Sequence, residues 1–140
     1  MSASAYALAR CVGETRALTR TAQAMRDALE AGDTQELSSL VAVQEMGIWR
    51  LGQLMKGESV EGVDEPPDDL LEAARTGADD DLRQSLRLEM QSLADVSGQN
   101  AVLLKDGLMI VRGLLAILTG RFGEYGGGPG GPSGVFSRRA

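Results

Sequence analysis

One polar amide sits on the longest apolar helical stripe of the chain. Asn100 is followed by residues 101–119, in which Leu, Ile, Val and Ala recur and no proline intervenes. A buried Asn on a helical seam weakens the seam but fixes its register. The stripe therefore has to pair in one way. The segment after it is dominated by glycine and proline. That layout suits a helical binding protein and is hard to read as an enzyme.

The stripe belongs to a helix predicted from Asp79 to about Thr119, with Gly120 as the residue that ends it. Roughly 40 residues at ~1.5 Å rise give ~60 Å. Its inward row reads Leu82, Leu86, Leu93, Val96, Asn100, Leu103, Gly107, Ile110, Leu114 and Ile117. Leu104, Val111 and Leu118 widen it, so the C-terminal half is apolar over a broad arc. Such an arc needs more than one neighbour: another helix, a second subunit or a client. Asp79, Asp80 and Asp81 open the helix. They complement the macrodipole there, or offer oxygen ligands to a hard cation.

Residues 3–31 form a first helix, with Leu8, Cys11, Thr15, Leu18, Ala22, Met25 and Leu29 spaced alternately three and four apart. That spacing belongs to a left-handed helical pair. Gly32 ends it, and Asp33 with Glu36 three positions on caps the next. The second helix runs from Thr34 to about Lys56, and its predicted stripe is Leu37, Val41, Gln44, Ile48, Leu51 and Met55. Trp49 falls one position off that stripe and is expected at a boundary. Gly47 and Gly52 weaken the helix, and either admit a neighbouring backbone or fray it. Pro66-Pro67 ends the connector after this helix and seeds a short one, Asp68 to Arg75, anchored by Leu70 and Leu71. Because the two long helices before it are shorter, one end of the last helix should project beyond them or be covered by residues 68–75.

The expected fold is therefore all-α: an antiparallel helical hairpin plus one long C-terminal helix, a coiled-coil-like three-helix bundle. Residues 1–120 form the bundle domain and 121–140 a flexible Gly/Pro-rich tail, which cannot bury enough to offset its ordering entropy. Three of the five aromatics, Phe122, Tyr125 and Phe136, lie in that tail. They are either drift or anchors for a partner groove.

Charge narrows the partners. The net charge is −6, and residues 58–81 carry ten acids against Arg75 alone. The excess lies in one connector, which is a solvated loop or a docking surface for a basic partner. Nucleic acid is disfavoured, since phosphate binding needs a basic face. Lys105, Asp106 and Arg112 make residues 101–119 costly at membrane depth, and no signal peptide is visible at the N-terminus. A cytoplasmic location is expected. The chain has no histidine and one cysteine. That removes the commonest general base, a zinc site and an internal disulfide. Cys11 lies on an apolar stripe and reads as an inert core residue. No catalytic constellation and no cofactor site is predicted.

The chain resembles the FlgN-type flagellar export chaperones. That family has a helical hairpin, a long C-terminal helix with an N-x-x-L-L pattern, and a tail with a Tyr-x-x-Gly-like element. Asn100, Leu103 and Leu104 match the first pattern, and Tyr125 with Gly128 resembles the second. The resemblance implies a chaperone serving a type III secretion apparatus. It would bind C-terminal helical segments of hook–filament junction subunits, prevent premature assembly, and deliver them to the export gate. The client- and partner-binding residues it implies are Asn100, Leu104, Leu108, Val111, Leu115, Leu118, Phe122, Tyr125 and Phe136. Homo-oligomers remain compatible with it. The alternative is a structural coiled-coil oligomer subunit of a phage or secretion apparatus.

Overall fold

A computed structural model describes residues 1–126; residues 127–140, and the side chains at 107, 108, 110, 111, 114, 115 and 117–126, lie outside the described residues. The described chain is all-helical: α1 (Ala3–Ala31), α2 (Thr34–Met55), α3 (Asp68–Arg75) and α4 (Asp79–Gly126). It divides into two compact units, Met1–Ala101 and Val102–Ala140. The first unit holds the hydrophobic core of the described residues.

Local chemistry sets the helix ends. The Ser2 hydroxyl accepts from the Ala5 N–H at 3.0 Å and starts α1. Gly32 stops α1 at φ 70°, where a side chain would be strained. The Asp33 carboxylate then accepts from the Glu36 N–H at 3.0 Å and starts α2. Thus α1 and α2 are joined by one glycine and one cap. The end of α4 differs from the sequence expectation. It continues through Gly120 to Gly126 rather than stopping at Thr119. One glycine costs a helix only ~1 kcal/mol, too little to end it alone.

α1 is the common wall of the first unit. Ala5, Ala9 and Val12 pack with Leu70 and Ala74 of α3 and Leu82 of α4. Cys11 and Leu18 pack with Leu51 and Leu54 of α2 and Val60 of the connector, with Leu86, Met90 and Leu93 of α4 against them. The inward row predicted for α1 holds at Cys11, Thr15, Leu18 and Ala22, which are buried, and at Leu8, Met25 and Leu29, which are half-buried. Ala5, Ala9, Val12, Glu14 and Thr19 are buried as well, because α1 has neighbours on more than one side. Its buried hydroxyls need no partner from another helix. Thr15 donates to the Cys11 carbonyl at 2.7 Å, and Thr19 to the Thr15 carbonyl at 3.0 Å.

α2 is rotated from the predicted stripe. Leu37, Gln44 and Leu51 face inward, but Val41, Ile48 and Met55 are exposed. Leu40, Gly47 and Leu54 take their places on the inward face. Two contacts explain the rotation. A Cβ built at Gly47 would lie 2.6 Å from Leu18 Cδ2, so only glycine lets α2 approach here. Arg50 reaches Glu14 at 3.4 Å, and the Glu14 side chain is nearly buried. A carboxylate in that position needs its cation, since an unpaired buried charge costs several kcal/mol. Both pairs, 14 with 50 and 18 with 47, run in opposite senses along the two helices.

The acidic connector is not free of α1. Val60 and Pro66 are buried. Arg10 donates to the Val60 carbonyl at 3.4 Å, and the Tyr6 hydroxyl to Glu65 at 2.6 Å. The Arg10 guanidinium also lies over the Tyr6 ring, 5.6 Å from its centroid. In α3, Leu70 is the buried anchor and Leu71 is only half-buried.

Gly47 and Gly52 make a matched pair. A Cβ at Gly52 would meet nothing within 4 Å. Gly52→Ala should therefore raise the melting temperature of dilute protein, by up to ~1 kcal/mol of helix propensity. Gly47→Ala gains the same propensity yet should destabilise, because its methyl would push buried Leu18 and crowd the Glu14 carboxylate at 3.3 Å. Thermal melts followed by circular dichroism check the pair. A rise at both positions would refute the close approach at Gly47.

Candidate functional site

The candidate binding residues begin at Asn100. Three polar contacts join α4 to α1, one near Arg16 and two further along both helices. The Arg16 Nε donates to Glu89 at 3.0 Å, and Arg26 donates to Gln99. Beside Gln99, Asn100 Nδ2 donates to the Ala22 carbonyl at 2.9 Å. Asn100 is only 5% exposed, and its Oδ1 has no partner. The amide is thus half satisfied. Its donor side replaces hydration with a bond to α1, and its acceptor side stays buried and unmet. Such a group tolerates few registers, because moving it off Ala22 while it stays buried would orphan its donor as well.

The N-x-x-L-L pattern therefore splits across the helix surface. Asn100 faces inward, Leu103 is half-buried, and Leu104 is exposed. Leu104 stands first on a row that continues by sequence spacing through Leu108, Val111, Leu115 and Leu118. The side chains of those four, and of Phe122 and Tyr125, lie outside the described residues, as does Phe136. Of the other residues in the second unit, Val102 and Met109 are exposed large apolar groups. Lys105 and Arg112 are exposed on the same side as these two, at helical spacing.

Sequence reasoning missed one apolar surface. Val41, Ile48 and Met55 of α2 are open to solvent, with Trp49 beside them. Their spacing of seven gave the right periodicity and the wrong face. The signal that separates the two faces is Gly47, whose missing side chain marks the side that approaches α1.

The remaining chemistry is sparse. Burial pushes the Cys11 thiol above its ordinary value, against an opposing effect of Arg10. A thiol of that kind is a poor nucleophile. The hydrogen bond to Glu65, with smaller contributions from burial and the carboxylate charge, raises the Tyr6 phenol. Asp80 is held by Arg83 at 3.2 Å, within the first turns of α4. Among the described residues no group of three or more His, Cys, Asp or Glu side chains is placed to hold a metal ion. Among them, too, no helix is long and apolar enough to cross a membrane. Compared with known proteins, the chain matches no family model, no curated protein and no solved structure.

Asn100→Asp tests the amide directly. The substitution keeps the shape but sets an anion against the Ala22 carbonyl, with no donor in reach. It should cost about 2–4 kcal/mol near neutral pH. The fold holds that carboxyl's pKa above its unfolded value. The penalty is therefore full above the folded pKa and fades as pH falls through it, since the protonated acid can donate to Ala22. Urea unfolding across pH checks this. A variant as stable as the parent at pH 7 would place Asn100 in water.

Proposed function

We infer that this chain is an export chaperone of the FlgN type. On this reading an antiparallel hairpin and one long helix form the scaffold. The exposed row of α4 that begins at Leu104, with the segment beyond it, receives an amphipathic helix from the C-terminal part of a hook–filament junction subunit. The same arm hands the client to the export gate. The observation that carries the reading is the division of labour in the N-x-x-L-L pattern: Asn100 holds α4 to α1 while Leu104, 49% exposed, stays open. A helix fixed on one side and apolar on the other is what a helix-in-groove partner needs. Exposed methionines, among them Met109, add a soft surface that tolerates different client side chains.

A structural coiled-coil subunit is the second reading, and the exposed heptad-spaced residues of α2 favour it. Light scattering separates the two. A structural subunit assembles into large open species, and a chaperone stays a monomer or small closed oligomer.

Titration calorimetry against C-terminal helical peptides of junction subunits tests the first reading. Leu104→Glu should weaken binding at least tenfold, or ~1.4 kcal/mol, with an unchanged melting curve. Deleting residues 121–140 should weaken binding to client or gate to a similar degree. No binding by the parent chain, or equal binding by both variants, would refute the reading.

A further inference from the structure

We propose that α2 is a self-association face, through which two copies of this chain pair antiparallel about a twofold axis near residue 50. The inference is independent of the chaperone reading.

α2 carries two apolar faces, and α1 uses only one. The other presents Val41, Ile48 and Met55 at intervals of seven, with Trp49 alongside, and Ile48 and Trp49 are 55% and 57% exposed. Gly52 lies among them, three residues after Trp49 and four after Ile48. The two glycines of this helix have different standing. Gly47 is accounted for by Leu18, as described above. Among the described residues nothing in the chain accounts for Gly52, because a Cβ there meets no atom within 4 Å. A helix-interior glycine that weakens its own helix, set in an exposed apolar stripe, marks a place where another backbone comes close.

The stripe is complementary to itself. Placed antiparallel with the axis near residue 50, Ile48 of one copy lies opposite Gly52 of the second, and Gly52 opposite Ile48. A large side chain thus enters the space left by a missing one, twice. Glu45 and Lys56 are both exposed and lie on the same flank of the stripe. A twofold axis perpendicular to the helices brings equal flanks together, so Glu45 of each copy faces Lys56 of the other. Trp49 lies on that flank beside the axis, which brings the two indoles together. Parallel pairing would instead bring unlike flanks together, part Glu45 from Lys56, and set Gly52 level with Gly52 rather than with Ile48. The seam covers about a dozen residues per copy, well short of a standard interface, so the dimer belongs in the micromolar range.

Sedimentation equilibrium and tryptophan emission of the full chain, between about 1 µM and about 500 µM, test the proposal. The expected result is a monomer–dimer equilibrium and nothing larger. Emission from Trp49, the one tryptophan in the sequence, should shift to the blue as the dimer forms. Gly52→Leu should raise the dissociation constant at least tenfold without lowering the melting temperature of dilute protein. Glu45→Lys and Lys56→Glu should each weaken pairing, and the double swap should restore it. A chain that stays monomeric at the highest concentration would overturn the proposal. So would open-ended assembly, a dimer indifferent to Gly52→Leu, or a double swap no better than either single change.

Discussion

Everything in the first unit depends on the surface of one helix. α1 has to be narrow where it meets its neighbours, and many of its residues there are small: Ala5, Ala9, Val12 and Thr15 are almost wholly buried. A helix with that surface admits others at close range, and packing density then supplies much of the stability. It supplies little orientation, because alanine rows look alike from one turn to the next. Orientation comes from the polar contacts set into the seams. Glu14 with Arg50 locates α2, and Asn100 with Ala22 locates α4. Each has a buried atom left without a partner, Nε of Arg50 and Oδ1 of Asn100. Both seams therefore give up some stability at the atoms that fix their register.

Much of the helical layout was legible, because its signals are local. Ser2, Gly32 and Asp33 act within one turn of themselves. The inward row of α1 follows from its own spacing, and the inward position of Asn100 follows from that of Leu93 and Val96. The face of α2 was not legible. Its spacing fits two stripes equally well, and the choice is made by Leu18 and Glu14, far away in sequence. The tethering of the connector was also hidden. Tyr6 and Glu65 are 59 residues apart, and Arg10 and Val60 are 50 apart. The acidic composition reads as a solvated loop or a docking surface, and no local pattern reveals which carboxylate a distant tyrosine will reach. The stop assigned at Gly120 failed for a related reason. Glycine ends a helix when it adopts the left-handed conformation, as Gly32 does at φ 70°, and not by its presence alone.

The two proposed partner surfaces differ in kind. The row that starts at Leu104 lies on α4 just beyond the contact of Asn100 with Ala22, and under the proposed function it meets a client. The outer face of α2 lies on a helix seated by Gly47 and Arg50, and under the proposed self-association it meets a second copy. The outer face of α2 is apolar, on an element whose opposite side is held by a buried polar contact. That arrangement lets a binding surface be rigid without being covered, which lowers the ordering cost of association.

The claim at the centre is that α4 is registered on α1 through the Asn100 amide. Nuclear magnetic resonance of the side-chain amides tests it most directly. The account predicts that the two Asn100 Nδ2 protons exchange slowly with water and show nuclear Overhauser contacts to the α1 residues around Ala22 and Arg26. An Asn100 amide pair that exchanges as fast as those of exposed side chains, with no contact to α1, would contradict it.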